Sequence, residues 1–411
     1  MCAPARLTFI PDVVEEHYDE LQFLWSQRRR ALRSPAYTSR ELGMLEERIE
    51  ARAQGMQVIG ERILDFVAPG LAGDDELPAF AAAFALLRLG TPEAAQRVAD
   101  AFAVARGPKL AGLRDALASN VVPSLHQGLG ALFLGSPSSL GACAGEVLAF
   151  QGSTGLETRL IERLVTSEEP AARAGGWRLA AYVGAALPPH VLESAYRDDD
   201  PTARGAALEA AAWTGSPTFA PLCRALAASP APEVIGTLAT FAALASPEEY
   251  QLVGAVAANP AAGPDRFRVI GSFGHPYFVE QLVREMEHPD AATAAAAGLA
   301  FTKMTGREVQ SDRRARVPLD DAPPADAFEA EFQDEVFLPD PDLARRHWQE
   351  LAPALARAPR ICRGLDLSQA LTGEQFALLD MESRWEYCLR ARLFGGWPGS
   401  PLDLERFPQR F

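Results

Sequence analysis

Cysteine, histidine, basic charge and long apolar runs are all in short supply in this 411-residue chain, and each shortage removes a class of function. The five cysteines, Cys2, Cys143, Cys223, Cys362 and Cys388, are far apart, odd in number and never form a C-x-x-C pair. That spacing argues against a disulfide scaffold and against structural zinc. The six histidines are followed by Tyr18, Gln127, Val191, Pro276, Pro289 and Trp348, so no His-Glu dipeptide exists to gather imidazoles and carboxylates around an iron pair. No glycine-rich loop ends in Gly-Lys-Ser or Gly-Lys-Thr, and no G-x-S-x-G elbow presents a nucleophile. With 39 Lys and Arg against 54 Asp and Glu, the net charge of −15 opposes the basic face that nucleic-acid phosphates require. No apolar run reaches the roughly 18 residues of a membrane span, and residues 1–10 lack the apolar core of a secretion signal. The expectation is a cytoplasmic protein with no cofactor, no metal, no nucleic acid and no membrane insertion.

What is present is alanine and a recurring turn. Alanine dominates stretches such as 80–85 and 291–297, where it favours helix and lets neighbouring helices approach closely. Between apolar helical patterns stand Leu89-Gly90-Thr91-Pro92, Thr214-Gly215-Ser216-Pro217, Leu244-Ala245-Ser246-Pro247 and Phe273-Gly274-His275-Pro276, and Gly184 extends the series. A period of about 30 residues with two helices per unit predicts an all-α solenoid, whose units bury their apolar faces only by stacking. The repeats are expected over 77–306. Residues 1–70 read as a helical hairpin cap, with a Thr38/Glu41 capping box opening its second helix. Residues 307–342 read as an acidic insertion, and 343–411 as C-terminal helices followed by a docking tail anchored by Phe394, Trp397, Leu402, Phe407 and Phe411. Glu169-Pro170 and Asp200-Pro201, each followed by Arg173 or Arg204, read as helix starts with a carboxylate at the N-cap. Residues 106–160 do not fall into phase, because Leu134-Gly135-Ser136-Pro137 arrives out of step.

Proline in a first helix (Pro221), aspartate at the turn (Asp200) and arginine early in the second helix (Arg204) resemble the HEAT-repeat class. Three further segments resemble an uncharacterised bacterial HEAT-repeat family. They are His17–Trp25 with Leu45–Ala51, then Ala300–Gly306 ahead of the acidic stretch and its Leu338–Asp342 exit, and finally the closing helix with its Phe-rich tail. Members of that family are often encoded beside type VI secretion genes. The resemblance therefore implies an accessory, adaptor or effector-chaperone role, and it supplies no catalytic residue.

The second helices of the repeats are expected to line the binding face, which makes Arg178, Glu209, Arg266, Arg268 and Lys303 candidates for contact with a partner. Phe328, Phe332 and Phe337, interleaved with acids from Asp320 to Asp342, form a second candidate segment. The sequence thus predicts a non-enzymatic HEAT-like α-solenoid that binds a protein or peptide. An enzyme with its site in the groove and an immunity-type protein that wraps a toxin are the alternatives.

Overall fold

The computed structural model describes residues 9–135, 137–153, 155–316 and 335–409. It is predominantly helical, as the composition predicts. The helices in chain order are α1 (Pro11–Ala31), α2 (Ser39–Gln57), α3 (Leu64–Ala72), α4 (Glu76–Arg88), α5 (Pro92–Val104), α6 (Gly107–Ala118), α7 (His126–Leu134), α8 (Ser139–Phe150), α9 (Thr158–Val165), α10 (Pro170–Val183), α11 (Pro189–Ala195) and α12 (Pro201–Trp213). They continue as α13 (Phe219–Ala227), α14 (Ile235–Leu244), α15 (Tyr250–Ala257), α16 (Phe267–Phe273), α17 (Val279–Glu285), α18 (Ala291–Thr305), α19 (Pro341–Leu355), α20 (Gly373–Ala377), α21 (Met381–Leu393) and α22 (Pro401–Glu405). No helix among the described residues is long and apolar enough to cross a membrane.

The chain divides into two compact units, one of Met1–Ser216 with Pro398–Phe411 and one of Pro217–Trp397. In the first unit α1 packs on α2 and on α4, and the alternate helices α4, α6, α8, α10 and α12 pack each upon the next, while α5, α7, α9 and α11 lie against their successors. In the second unit α14, α16 and α18 pack in the same serial way, flanked by α13, α15 and α17, and α21 rests on α14. Aromatic and alanine side chains fill these seams. Trp177, Phe80, Phe84 and Phe102 are fully buried in the first unit, and Phe267, Phe273, Phe278 and Phe301 in the second.

The recurring turn marks the C-terminal ends of α4, α10, α12, α14 and α16. Gly184, Gly274 and Gly306 are left-handed C-caps of α10, α16 and α18. Gly90 and Gly215 follow α4 and α12 with positive φ as well. The out-of-phase segment falls into line once its helices are seen. Asn120 follows α6 and Gly152 follows α8, whereas Gly135 merely separates α7 from α8 inside one hairpin. The series 90, 120, 152, 184, 215, 245, 274, 306 therefore advances in nearly equal steps without a break.

Helix starts are held largely as their residue types demand. Thr38 and Glu41 form the reciprocal capping box, and the Asp200 and Asp290 carboxylates accept the backbone N–H groups of Ala203 and Thr293 at 2.8 Å. Glu169 departs from expectation. It occupies the N-cap of α10, but its carboxylate accepts the Ser139 N–H at 2.9 Å and does not cap its own helix. Arg173 reaches from one hairpin to the next, donating to both Asp198 carboxylate oxygens at 2.6 and 2.7 Å and back to the Ser167 and Glu168 carbonyls.

The segment that α6 presents to α4 is set by Gly112, where an added methyl group would overlap the Glu76 carbonyl and approach the Phe80 nitrogen at 3.0 Å. Both neighbours are backbone and cannot rotate away. Gly112→Ala should therefore lower unfolding free energy by about 1–3 kcal/mol. Gly205→Ala, in the interior of α12 with nothing within 4 Å of the new carbon, should raise it by about 0.5–1 kcal/mol. Urea unfolding followed by circular dichroism measures both, and equal effects at the two sites would refute the steric account.

An all-helical expectation misses two short antiparallel ribbons. Strands β1 (Gln310–Arg316) and β2 (Glu335–Pro339) pair with Arg314 opposite Phe337 and Arg316 opposite Glu335, and β3 (Ile361–Cys362) pairs with β4 (Leu365–Asp366). The flanks of the acidic insertion are thus paired strand. Gln-Ser-Asp-Arg-Arg-Ala-Arg carries no β-branched run to announce itself. Its pairing is instead supported across strands, by Arg314 lying 3.4 Å from Glu335 and over the Phe337 ring.

Candidate functional site

The face of the first unit formed by α1, α6, α8, α10 and α12 carries alternating charges at helical spacing. On α1, Trp25, Arg28 and Arg29 recur at three- and four-residue spacing and share one side, and Arg33 follows in the turn after the helix. Arg114 and Asp115 come from α6, Glu146 and Phe150 from α8, Arg178 and Tyr182 from α10, and Glu209 from α12. These charges neutralise one another in a ladder. Glu146, with no exposed side-chain surface, receives Arg114 at 2.6 Å and Arg178 at 2.8 Å. Asp115 accepts the Trp25 indole N–H at 3.1 Å and Arg114 on its other oxygen. Arg33 pairs with Glu209 at 2.7 Å, and Arg29 pairs with Glu76. A buried carboxylate holding two guanidinium groups is stable only because both partners are fixed in place.

Across this face lies a segment of the protein's own chain, from Pro398 onward. Arg28, 2% exposed, donates from Nε to Glu46 at 2.6 Å and from Nη2 to the Glu405 and Arg406 carbonyls at 3.0 and 2.8 Å. The other Glu46 oxygen accepts the Gln409 N–H at 2.7 Å. Main chain is thus gripped on both sides by one ion pair. Side chains are read as well. The Tyr182 hydroxyl donates to Glu405 Oε2 at 2.6 Å, and Arg33 lies 3.4 Å from the other carboxylate oxygen. Burial, together with the negative charges of Glu405 and Glu146, holds the Tyr182 phenol well above its ordinary pKa, so it remains a donor. The Phe407 ring meets Trp25 and Phe84 edge-on at 5.7 and 5.5 Å, with the Arg28 guanidinium 5.2 Å from its centre. Arg406 donates to the Phe150 carbonyl at 2.8 Å, and Leu402 and Leu404 are buried. Beside the segment a hollow of about 200 Å³ remains, lined by Arg29, Leu32, Arg114, Ala118 and Ser119 among others.

The second unit holds a separate charged cluster. Lys303 of α18 is buried and donates to Ser272 Oγ at 3.1 Å, Glu382 Oε2 at 2.9 Å and Glu386 Oε1 at 2.7 Å, while Arg268 binds Glu382 Oε1 at 2.8 Å. Burial alone would lower the lysine pKa, but Glu386 and Glu382 outweigh it and hold the ammonium charged. A serine beside a lysine resembles a nucleophile and base. Here the two carboxylates hold the lysine as an ammonium group, and it meets Ser272 Oγ as a hydrogen-bond donor. Arg360 is buried nearby, capping α14 through the Ala242 and Ala245 carbonyls at 3.1 and 2.8 Å. Burial and Arg390 push its pKa down to about 9, still charged at neutral pH. Cys143, Cys223, Cys362 and Cys388 are buried, and burial pushes each thiol up to about 12, so each stays protonated.

The residues singled out from sequence are therefore distributed over two places. Arg178 and Glu209 belong to the charged face of the first unit, and Arg268 and Lys303 to the cluster of the second. Arg266 turns inward, donating to the Ala257 and Gly263 carbonyls at 3.0 Å beside the Phe267 ring. Phe337 stands on β2, 40% exposed, and Phe328 and Phe332 lie outside the described residues. Of the tail anchors, Leu402 and Phe407 pack as expected, Phe394 is exposed, and Phe411 lies outside the described residues. Sequence reasoning passed over Arg28, Glu46, Glu146 and Tyr182. Arginine and glutamate at helical intervals on α1 and α2, and the lone Glu146 in the apolar α8, were a signal, but charged residues on helices more often cover solvated faces.

No family model matches the chain, and no curated protein or solved structure matches it either.

Proposed function

We propose that this protein is a non-enzymatic scaffold or adaptor, a HEAT-like α-solenoid whose ligand is a protein or an extended peptide segment. The serial packing of helical hairpins within each unit and the unbroken spacing of helix ends support the solenoid reading. One observation carries the binding reading. The charged face of the first unit already accommodates a stretch of polypeptide, the short helix α22 and the residues after it, with Arg28 and Glu46 directed at main-chain groups that any peptide possesses. Buried, protonated thiols and a fully charged Lys303 favour a landing surface over reactive chemistry. The family resemblance directs the search for a partner toward effectors or spike components of a type VI secretion system, with the protein acting as accessory or effector chaperone.

The test is photo-cross-linking in the producing cell with a photoreactive residue at Ala118, which lines the hollow. A discrete adduct with a second protein, lost when Arg33→Glu reverses the charge beside it, is the expected result. Products confined to intramolecular links would overturn the scaffold reading.

A further inference from the structure

The segment seated on the first unit has the chemistry of a ligand, and its contacts divide into two kinds. Arg28 and Glu46 hold the backbone of residues 405, 406 and 409, which imposes direction and spacing with no demand on side-chain identity. Tyr182 and Arg33 converge on the Glu405 carboxylate, while Trp25 and Phe84 receive the Phe407 ring. These are side-chain pockets, an anion position and an aromatic position two residues apart. Without Glu405 the Tyr182 hydroxyl would lose its acceptor in a buried site, so the position selects for an acceptor, and the Arg33 guanidinium at 3.4 Å favours a charged one. Arg33 would keep Glu209. Main-chain contacts for affinity with side-chain pockets for specificity is a general arrangement of peptide recognition, here met by the C-terminal end of α22 and the residues after it.

From this we propose that residues 400–409 are a displaceable stand-in for the partner, and that the partner presents a segment with an acidic residue two positions before an aromatic ring, in the same chain direction. The inference deepens the scaffold reading and rests on it. The tethered segment competes at an effective concentration in the millimolar range for a short flexible tether. A free segment is therefore admitted only in proportion to the fraction of open molecules.

The test uses the full chain and a fluorescein-labelled peptide copying residues 398–411, read by anisotropy. The wild-type chain should bind it weakly. A chain carrying Glu405→Ala and Phe407→Ala, whose own segment is loosened, should bind it at least about tenfold more tightly. A peptide bearing the same two replacements should not bind. Equal affinity for both chains, or no binding to a variant that keeps its helical circular dichroism, overturns the proposal. A second measurement needs no variant. In wild-type protein the amides of residues 401–409 should exchange with deuterium by local opening, well ahead of those in α4 and α10. Exchange of the segment only on global unfolding would make it fixed core and equally overturn the proposal. The two failures are distinguishable. Cellular adducts at Ala118 without peptide uptake refute the stand-in and spare the scaffold, while peptide uptake without adducts removes the scaffold and the stand-in with it.

Discussion

Lys303→Met should lower the unfolding free energy of the second unit by about 3–5 kcal/mol at neutral pH, well beyond the ~0–1 kcal/mol typical of an exposed pair. The ammonium group is the shared neutraliser of Glu382 and Glu386, and its removal leaves Arg268 on Glu382 and takes the paired cation from Glu386. In the wild type, Glu382 is held low: burial opposes its charge, but Lys303 and Arg268 outweigh burial. Glu386 is already raised, by burial first, against the pull of Lys303. In the variant both should rise. A carboxylate whose folded pKa is raised binds its proton more tightly when folded, so the stability loss is fully present above the folded value and fades as pH falls through it toward the unfolded value of about 4.3. The deficit at pH 7 should therefore shrink by pH 5, read by urea unfolding at both values. A deficit independent of pH would mean lost packing and not unpaired charge. Replacing Glu382 and Glu386 by glutamine in the Lys303→Met background should recover much of the loss.

Arg28→Ala is the counterpart in the first unit, with an expected cost of about 3–5 kcal/mol. It strands Glu46, 3% exposed, without its cation, and removes the donor from two carbonyls of the seated segment. Each carbonyl left buried and unpaired would cost a further ~1–3 kcal/mol if the segment stayed in place. The segment should therefore detach, and the loss should appear in two measurements. Urea unfolding should shift, and Trp25 fluorescence should change under native conditions as Phe407 leaves its ring. Arg28→Met paired with Glu46→Met should restore most of the stability, because a buried pair replaced as a unit leaves no orphan charge. An unchanged midpoint for Arg28→Ala would show that the pair and the segment contribute nothing net.

The helical class, several capping residues and the ends of many helices were legible because each depends on local chemistry. Thr38 with Glu41, Asp200 before Pro201, and glycine after alternate helices are decided by near neighbours in the chain. Residues 106–160 resisted phasing for an equally local reason. The helix end after α6 is marked by Asn120 and not by glycine, while Gly135 imitates a boundary inside a hairpin. The ribbon of β1 and β2 was invisible because its stabilising partners, Arg314 with Glu335 and Phe337, stand on opposite sides of the acidic insertion and neither strand is strong alone. The seated segment was legible only as apolar anchors, Leu402 and Phe407. Nothing local predicts that Glu405 meets Tyr182 or that Arg28 meets the Glu405 and Arg406 carbonyls, since these contacts join positions remote from one another in sequence. Residues chosen for their charge fared unevenly for a related reason. Arg178 lies on α10 and Lys303 on α18, yet one belongs to the charged face of the first unit while the other is enclosed by acids from α21, which lies beyond the acidic insertion.

The first unit is interrupted by the whole of the second, since the chain leaves it at Ser216 and returns at Pro398. During translation at about 5–20 residues per second, on the order of 10–40 s separate the emergence of α12 from that of the returning stretch. Throughout that interval the nascent molecule stands with Trp25, Phe84 and the Arg28–Glu46 pair uncovered. On the stand-in proposal, this interval is when a partner segment would meet the face with no competitor from the protein's own chain.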